Sequence, residues 1–219
     1  MIASRFFEGL GAADVHAVAA AAITRRVPAG VAIYDQARAA REFFVLATGR
    51  ARYAFMLPDG RKMLLHWLVP GDVAGTAALL PAAGVYRMTA ETVRDSSLLV
   101  WDRATIRRLM ELYPPLFQNA LAAVAHYLDL YIVAHAALIS ESAPQRLSSV
   151  LTRLADSIGT PVADGTELQV TNEELANAAN ITPFTASRLI SQWHSSGAIT
   201  KHRGKLILRS PRRLFRLTA

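Results

Sequence analysis

The apolar positions of this chain change their period twice, near Val27 and again after Asp102. Phe6, Leu10, Val15, Val18, Ala22 and Ile23 lie roughly on one side of a helix, predicting a short helix from Phe6 to Ile23. From Val27 the texture becomes short runs rich in β-branched and aromatic residues, namely Val31–Tyr34, Glu42–Thr48, Ala51–Met56, Met63–Leu68, Arg87–Val93 and Ser97–Asp102. Pro28-Ala29-Gly30, Thr48-Gly49-Arg50, Pro58-Asp59-Gly60 and Pro70-Gly71-Asp72 punctuate them as turns. Pro58-Asp59-Gly60 has the chemistry of a hairpin, with glycine supplying a positive φ. Regular short strands with such turns predict a sandwich or small barrel.

After Asp102 the period is helical. Asp102 is placed to cap a helix running through Arg107 to Leu112, which stops before Tyr113-Pro114-Pro115. In the longer helix that follows, Phe117, Leu121, Val124, Leu128, Tyr131, His135 and Leu138 are spaced 4-3-4-3-4-3, a heptad seam. Such a stripe either packs on its own domain or pairs with a copy of itself. Domains on both sides of it favour a homodimer, with His135 as a partly exposed, hydrogen-bonded seam residue. Pro144 interrupts, a helix from Gln145 to Ile158 follows, and Gly159 to Gly165 is expected to be a loop. These boundaries divide the chain into a domain over 1–113, a dimerisation helix over 114–142 and a final domain over 143–219.

The final domain carries the sharpest local pattern. Thr171 with Glu174 three residues later makes a capping box at the start of one helix. Leu175, Ala178 and Ala179 face inward, and Asn180-Ile181 turns the chain tightly. Thr182 caps a second helix, with Pro183 in its first turn, where no amide donor is needed. Leu189, Ile190 and Trp193 are its buried stripe, and Phe184, Thr185, Ser187, Arg188 and Ser191 its opposite face. Two short strands about the basic turn Lys201-His202-Arg203-Gly204-Lys205 complete a winged helix-turn-helix. In that geometry Thr182, Phe184, Ser187 and Arg188 would face base edges, while Thr171, Thr185, Lys201, Arg203 and Lys205 would meet phosphates.

Charge supports the same reading. The net charge is +7, yet residues 1–174 hold 16 Lys+Arg against 17 Asp+Glu, and residues 175–219 hold 8 Lys+Arg and no acid. A basic patch segregated to one end is the footprint of a nucleic-acid binder. There is no cysteine, which excludes disulfides, thiol nucleophiles and cysteine-held iron–sulfur clusters. With 52% apolar and 19% charged residues the chain is expected to be globular. The apolar run from Val15 to Ile23 is too short to cross a bilayer and lacks a basic leader. No other stretch is read as transmembrane, so a cytoplasmic protein without membrane partners is expected.

On these marks the sequence resembles the CRP/FNR family over nearly its whole length. The matching features are Gly30, Gly49, Gly60, Gly71 and Gly75, the stretch Pro70-Gly71-Asp72-Val73-Ala74-Gly75, the strand entry from Asp95 to Leu99, the long helix, and the winged motif from Thr171 to Leu208. The resemblance implies an α+β protein: an N-terminal cyclic-nucleotide-binding-like β-barrel of the jelly-roll (double-stranded β-helix) type, a long dimerisation helix and a C-terminal winged helix-turn-helix. It further implies a homodimer regulating transcription from palindromic double-stranded DNA, with RNA polymerase as a partner.

The departures bear on the effector. Cyclic-nucleotide binders of this family place a glutamate after the glycine matching Gly75, and this chain has Thr76. They also place an arginine opposite the cyclic phosphate. Here Arg87 fills that position, or, counting back from Asp95, Tyr86 does. Gly75, Thr76, Ala77, Tyr86, Arg87 and Met88 are the candidate effector-pocket residues, and cyclic AMP is not the expected ligand. Haem would need an axial ligand such as His66, for which a plain strand histidine is the simpler reading. The recognition helix keeps Arg188 but has Phe184 where many relatives carry an acid, predicting an unusual half-site. No phosphate-cradling glycine loop, metal-ligand spacing or nucleophile elbow points to an enzyme. The competing binding-protein reading is an architectural DNA binder without effector control. For the regulator, two recognition helices about one DNA turn apart, near ~34 Å, would be repositioned by a hinge between Ile139 and Arg146.

Overall fold

The computed structural model describes residues 4–217 except Arg61, Ala83 and Arg203. The chain forms two compact units, Met1–Tyr131 and Ile132–Ala219.

The first unit is built on an antiparallel sheet. Its strands are β1 (Ile23–Val27), β2 (Ala32–Tyr34), β3 (Glu42–Met56), β4 (Lys62–Leu68), β5 (Val73–Ala74) and β6 (Thr89–Asp102). The main path runs β1-β6-β3-β4, with β2 added against β6 and β5 against β3. Alternation along the two long strands divides the core. Phe43, Val45, Leu99 and Trp101 point to a face covered by Phe6, Phe7, Val15, Val18, Ile106, Leu109 and Leu116. Phe44, Leu46, Leu98 and Val100 point to the inner face of the barrel, with Tyr53, Leu68 and Tyr86. With both faces buried, these strands read as nearly unbroken apolar runs.

Several sequence expectations need correction here. The predicted helix from Phe6 to Ile23 is a 3-10 turn, Arg5–Phe7, followed by α1, Ala12–Ala20. Gly9 lies in between at φ +80°, and Ile23 already pairs with Val100 as the first residue of β1. Pairing with a distant strand overrides the helical spacing. The runs Glu42–Thr48 and Ala51–Met56 are one 15-residue strand, and Thr48-Gly49-Arg50 is a set of register shifts within it. A Cβ at Gly49 (φ +92°) would collide with Asp95 O and Ser96 Oγ, so the bulge needs glycine. The last two runs likewise merge into β6. By contrast, Pro58-Asp59-Gly60 does join β3 to β4, with the Gly60 amide donating to Leu57 O at 2.9 Å.

Asp102 caps α2 (Arg103–Leu112), its Oδ1 accepting from the Thr105 amide at 2.8 Å. α3 then spans Pro114–Ser140. Leu116 and Ala120 are buried in the first unit's core, and Asn119 Nδ2 donates to the carbonyls of Phe6 and Glu8 at 3.0 and 2.8 Å. The expectation that no stretch is long and apolar enough to cross a membrane fails for this helix by length and composition. The physical reason is the coincidence of two apolar faces, an inner one on the barrel unit and an outer stripe. They leave Asp129 as the helix's single carboxylate, with no lysine or arginine.

The second unit comprises α4 (Ala143–Ile158), β7 (Thr160–Val162), β8 (Gly165–Leu168), α5 (Asn172–Ala179), α6 (Pro183–Ser195), β9 (Ile199–His202), β10 (Lys205–Leu208) and α7 (Pro211–Arg216). The expected loop from Gly159 to Gly165 is the first strand of a four-stranded sheet ordered β7-β8-β10-β9, together with its turn. Gly159 and Gly165 act as close-approach residues there. A Cβ on the first would strike Ala155 O and Thr166 Cγ2, and on the second Leu208 O. These glycines signal tight packing, not a flexible linker.

Candidate functional site

α5 and α6 form the helix-turn-helix as spelled out by their local chemistry. The Thr171 hydroxyl accepts from the Glu174 amide at 3.2 Å, and the Glu174 carboxylate accepts from the Thr171 amide at 2.8 Å. Leu175, Ala176 and Ala179 are buried, so the small pair bringing the helices close is Ala176 and Ala179, with Ala178 half-buried. Asn180 takes the left-handed conformation at φ 49°, and the Ile181 amide returns to Ala176 O at 2.9 Å. Arg146 reinforces this turn from α4. Its Nε donates to Ala179 O at 3.0 Å, and another guanidinium nitrogen donates to Glu141 O at 2.6 Å. A cation on the terminal carbonyls of α5 also complements the helix dipole.

In α6 the Thr182 hydroxyl accepts from the Thr185 amide at 3.1 Å, and Pro183 occupies the first turn. Ala186, Leu189, Ile190 and Trp193 face the core. The outward face bears the exposed Phe184 and Arg188, with the exposed Thr182 at its start and the half-buried Ser187 along it. Phe184 is 78% exposed, its ring turned to solvent.

The residues expected at phosphates divide into two sets. Lys201 is exposed on β9, and Arg203 lies outside the described residues. Lys205 is held by Glu167, Nζ to Oε2 at 2.7 Å, and this hydrogen bond, with a further one from Gln169, keeps the Glu167 carboxyl below its ordinary range. Thr171 is committed to its capping box, and the Thr185 hydroxyl lies 2.9 Å from that of Thr182. Sequence reasoning assigns no role to Arg212, Arg213 and Arg216. They lie on α7, which Ser210 caps and the buried Leu214 anchors. The signal is legible: Ser210-Pro211 followed by two arginines is a helix start with basic residues on it.

The effector-pocket candidates do not converge. Tyr86 is 5% exposed and stacks on Tyr34 with ring centroids 3.8 Å apart. Its hydroxyl donates to Glu42 O at 2.9 Å and accepts from the Glu42 amide at 3.0 Å. Burial holds this phenol above its ordinary pKa. Arg87, its neighbour, is exposed, so of the two it is Tyr86 that faces the barrel interior. Gly75, at φ +77°, donates its amide to the Tyr34 hydroxyl at 3.1 Å, and Thr76 and Ala77 continue into a 3-10 turn. Met88 is half-buried with its sulfur 4.0 Å from the Tyr131 hydroxyl. The hydroxyls of Tyr53 and Tyr127 both donate to Val73 O, at 3.2 and 3.1 Å. The inner face is thus a tyrosine-rich cluster. Of its neighbouring arginines, Arg25 is fixed bidentately by Glu42, at 2.6 and 2.9 Å. Arg50 lies over the Trp67 ring at 5.9 Å. His66, the possible haem ligand, is half-buried with its ring 5.1 Å from that of Tyr127. Among the described residues no group of three or more His, Asp or Glu is placed to hold a metal ion.

Along the expected seam, Phe117, Leu121, Val124, Leu128 and Leu138 are exposed apolar residues and His135 is exposed beside them. Tyr131 is half-buried and turns toward Met88, while Ile132, next on the same helix, is exposed.

Comparison with known proteins agrees with this architecture. The cyclic nucleotide-binding domain family matches residues 24–113, and the Crp-like helix-turn-helix domain family matches residues 145–217. The chain is 24% identical over 207 residues to the CRP-like cAMP-activated global transcriptional regulator of Mycobacterium tuberculosis, covering 90% of this chain and 91% of the relative. It is 28% identical over 176 residues to the transcriptional regulator LdrP of Thermus thermophilus, covering 76% and 82%. A solved CRP-family transcriptional regulator from Thermus thermophilus superposes with a TM-score of 0.75 at 25% identity, covering 88% of this chain and 95% of that one. Two successive domain matches in the family's order, on a fold of that family, identify this chain as a member of the CRP/FNR family of transcription regulators, with a cyclic nucleotide-binding domain and a Crp-like helix-turn-helix.

Proposed function

We propose that the chain acts as a homodimer that reads a palindromic operator through α6 and responds to an effector other than cyclic AMP. The observation carrying the DNA reading is the outward face of α6, with Arg188 and Phe184 on it in a unit whose last 45 residues contain no acid. Arg188 is suited to a guanine edge, Phe184 to a thymine methyl, and Thr182 and Ser187 to neighbouring base edges. Lys201, Arg203 and Lys205, with Thr171 and Thr185 beside them, would meet phosphates, Lys205 after exchanging Glu167 for the DNA. Functionally the chain divides into a sensory domain over 1–113, a dimerisation helix over 114–142 and a DNA-binding domain over 143–219. Such a regulator works in the cytoplasm and at promoters, where RNA polymerase is its natural partner.

Selection of bound sequences from a random duplex pool tests this directly. Arg188→Ala is expected to weaken binding to the selected operator by about 1–3 kcal/mol and to relax preference at one base pair per half-site. An equal loss on unrelated duplexes would show that Arg188 contacts only the backbone.

The effector reading rests on Tyr86. A buried phosphate needs a fixed guanidinium or an equivalent set of donors, and Tyr86 spends its hydroxyl on Glu42. Cyclic AMP added in large excess over a micromolar protein sample should therefore change neither its melting temperature nor its operator affinity. A saturable stabilisation by the nucleotide would refute this.

A further inference from the structure

We infer that the first unit carries its ligand site on the outside of the barrel, and that it takes an amphipathic carboxylate. A groove of ≈ 710 Å³ opens between the 3-10 turn Thr76–Leu79, α2 and the start of α3. That volume lies in the range of small-molecule pockets. Leu79, Leu80, Met110 and Leu121 give it apolar walls. Its charged lining consists of Arg87 and Arg107 against Glu111, a balance that favours an anionic head. Neither arginine has a carboxylate partner among the described residues. Among the described residues Arg107 donates one weak hydrogen bond, to Pro81 O at 3.4 Å, and no other. Arg guanidinium and carboxylate match as planar, bidentate partners. The lining contains no histidine to serve as an axial ligand for haem.

Thr76, Ala77 and Arg87, expected in the barrel pocket, line this groove instead. The inference thus deepens the effector reading by naming a ligand class and relocating the site. Phe117, Leu121 and Val124 belong both to the groove and to the exposed stripe of α3, so an occupant would lie against the proposed dimer seam.

Calorimetric titration of the full-length protein with decanoate, and with decan-1-ol as the uncharged control, tests the site. Decanoate should bind saturably, once per chain and about tenfold tighter than the alcohol, the contribution of one charge-assisted hydrogen bond. Arg107→Gln should erase that preference while leaving the alcohol's affinity unchanged. Leu80→Trp, from an exposed position at the mouth, should block both ligands, with circular dichroism confirming that each variant folds. No saturable binding to folded wild-type protein, or equal decanoate affinity in wild type and Arg107→Gln, would overturn the site. Operator affinity is measured separately on the same samples. Decanoate binding without an operator response upholds the groove and counts against its regulatory use. Operator binding without decanoate binding upholds the regulator and removes the groove.

Discussion

Glutamate at both Leu121 and Leu128 is expected to yield a folded monomer whose affinity for a two-half-site operator is lower by more than about a hundredfold. Both side chains are more than half exposed in the single chain, 59% and 56%, so their replacement removes little packing within it. In a parallel or antiparallel pairing of α3 with its copy, the same positions would be buried, and four carboxylates would lose their hydration without a partner. The loss of operator affinity follows because one monomer contacts one half-site, forfeiting the second set of base and phosphate contacts. Light scattering of the eluted protein measures the first effect and titration of a labelled operator the second. Wild-type protein that is monomeric at micromolar concentration would refute the seam, as would a double variant that remains dimeric. Because Tyr131 packs toward Met88, Tyr131→Glu should instead destabilise the barrel unit, which a melting curve separates from a change in mass.

Trp193→Ala should destabilise the DNA-binding unit by about 3–5 kcal/mol, the cost of emptying a large aromatic site. Trp193 is 2% exposed and belongs to the core of the second unit with Leu189, Ile190 and Leu175. Domains of this size have only about 5–15 kcal/mol in total, so the variant would lose much of its margin. Its α6 would then no longer be held at a fixed angle to α5, and specific operator binding should vanish at a temperature where the barrel unit is still folded. Denaturant unfolding followed by amide exchange, residue by residue, resolves the two units. A uniform loss of protection across both units would contradict a destabilisation confined to the second.

How far the sequence can be read depends on the reach of the interactions involved. Thr171 with Glu174, Thr182 with Thr185 and Asp102 with Thr105 are pairs three residues apart, and each appears as expected. They identify helix starts because the orphan amides of a first turn must be satisfied locally. The heptad spacing of α3 is equally plain, since it follows from the helical repeat alone. It does not say that Tyr131 turns to its own domain, a choice made by the position of Met88. Strand boundaries are less legible. β1 hides inside a helical pattern, β7 and β8 inside or at the edge of an expected loop, and β3 and β6 each read as two strands. In every case the deciding partner lies outside the local pattern: Ile23 against Val100, Thr160 and Pro161 against β8, and Thr48 against Ser97.

The candidate site divides along the same line. Arg188 and Phe184 stand on a helix face that the period of α6 already specifies, and the segregation of charge to the last 45 residues needs only counting. Tertiary structure alone decided that Tyr86 turns inward while Arg87 turns out, that Lys205 is held by Glu167 from a neighbouring strand, and that Arg87 and Arg107 border one groove. A side chain's partner on a helix is given by its own turn, whereas a side chain's partner in a sheet is given by a register that only the folded chain sets.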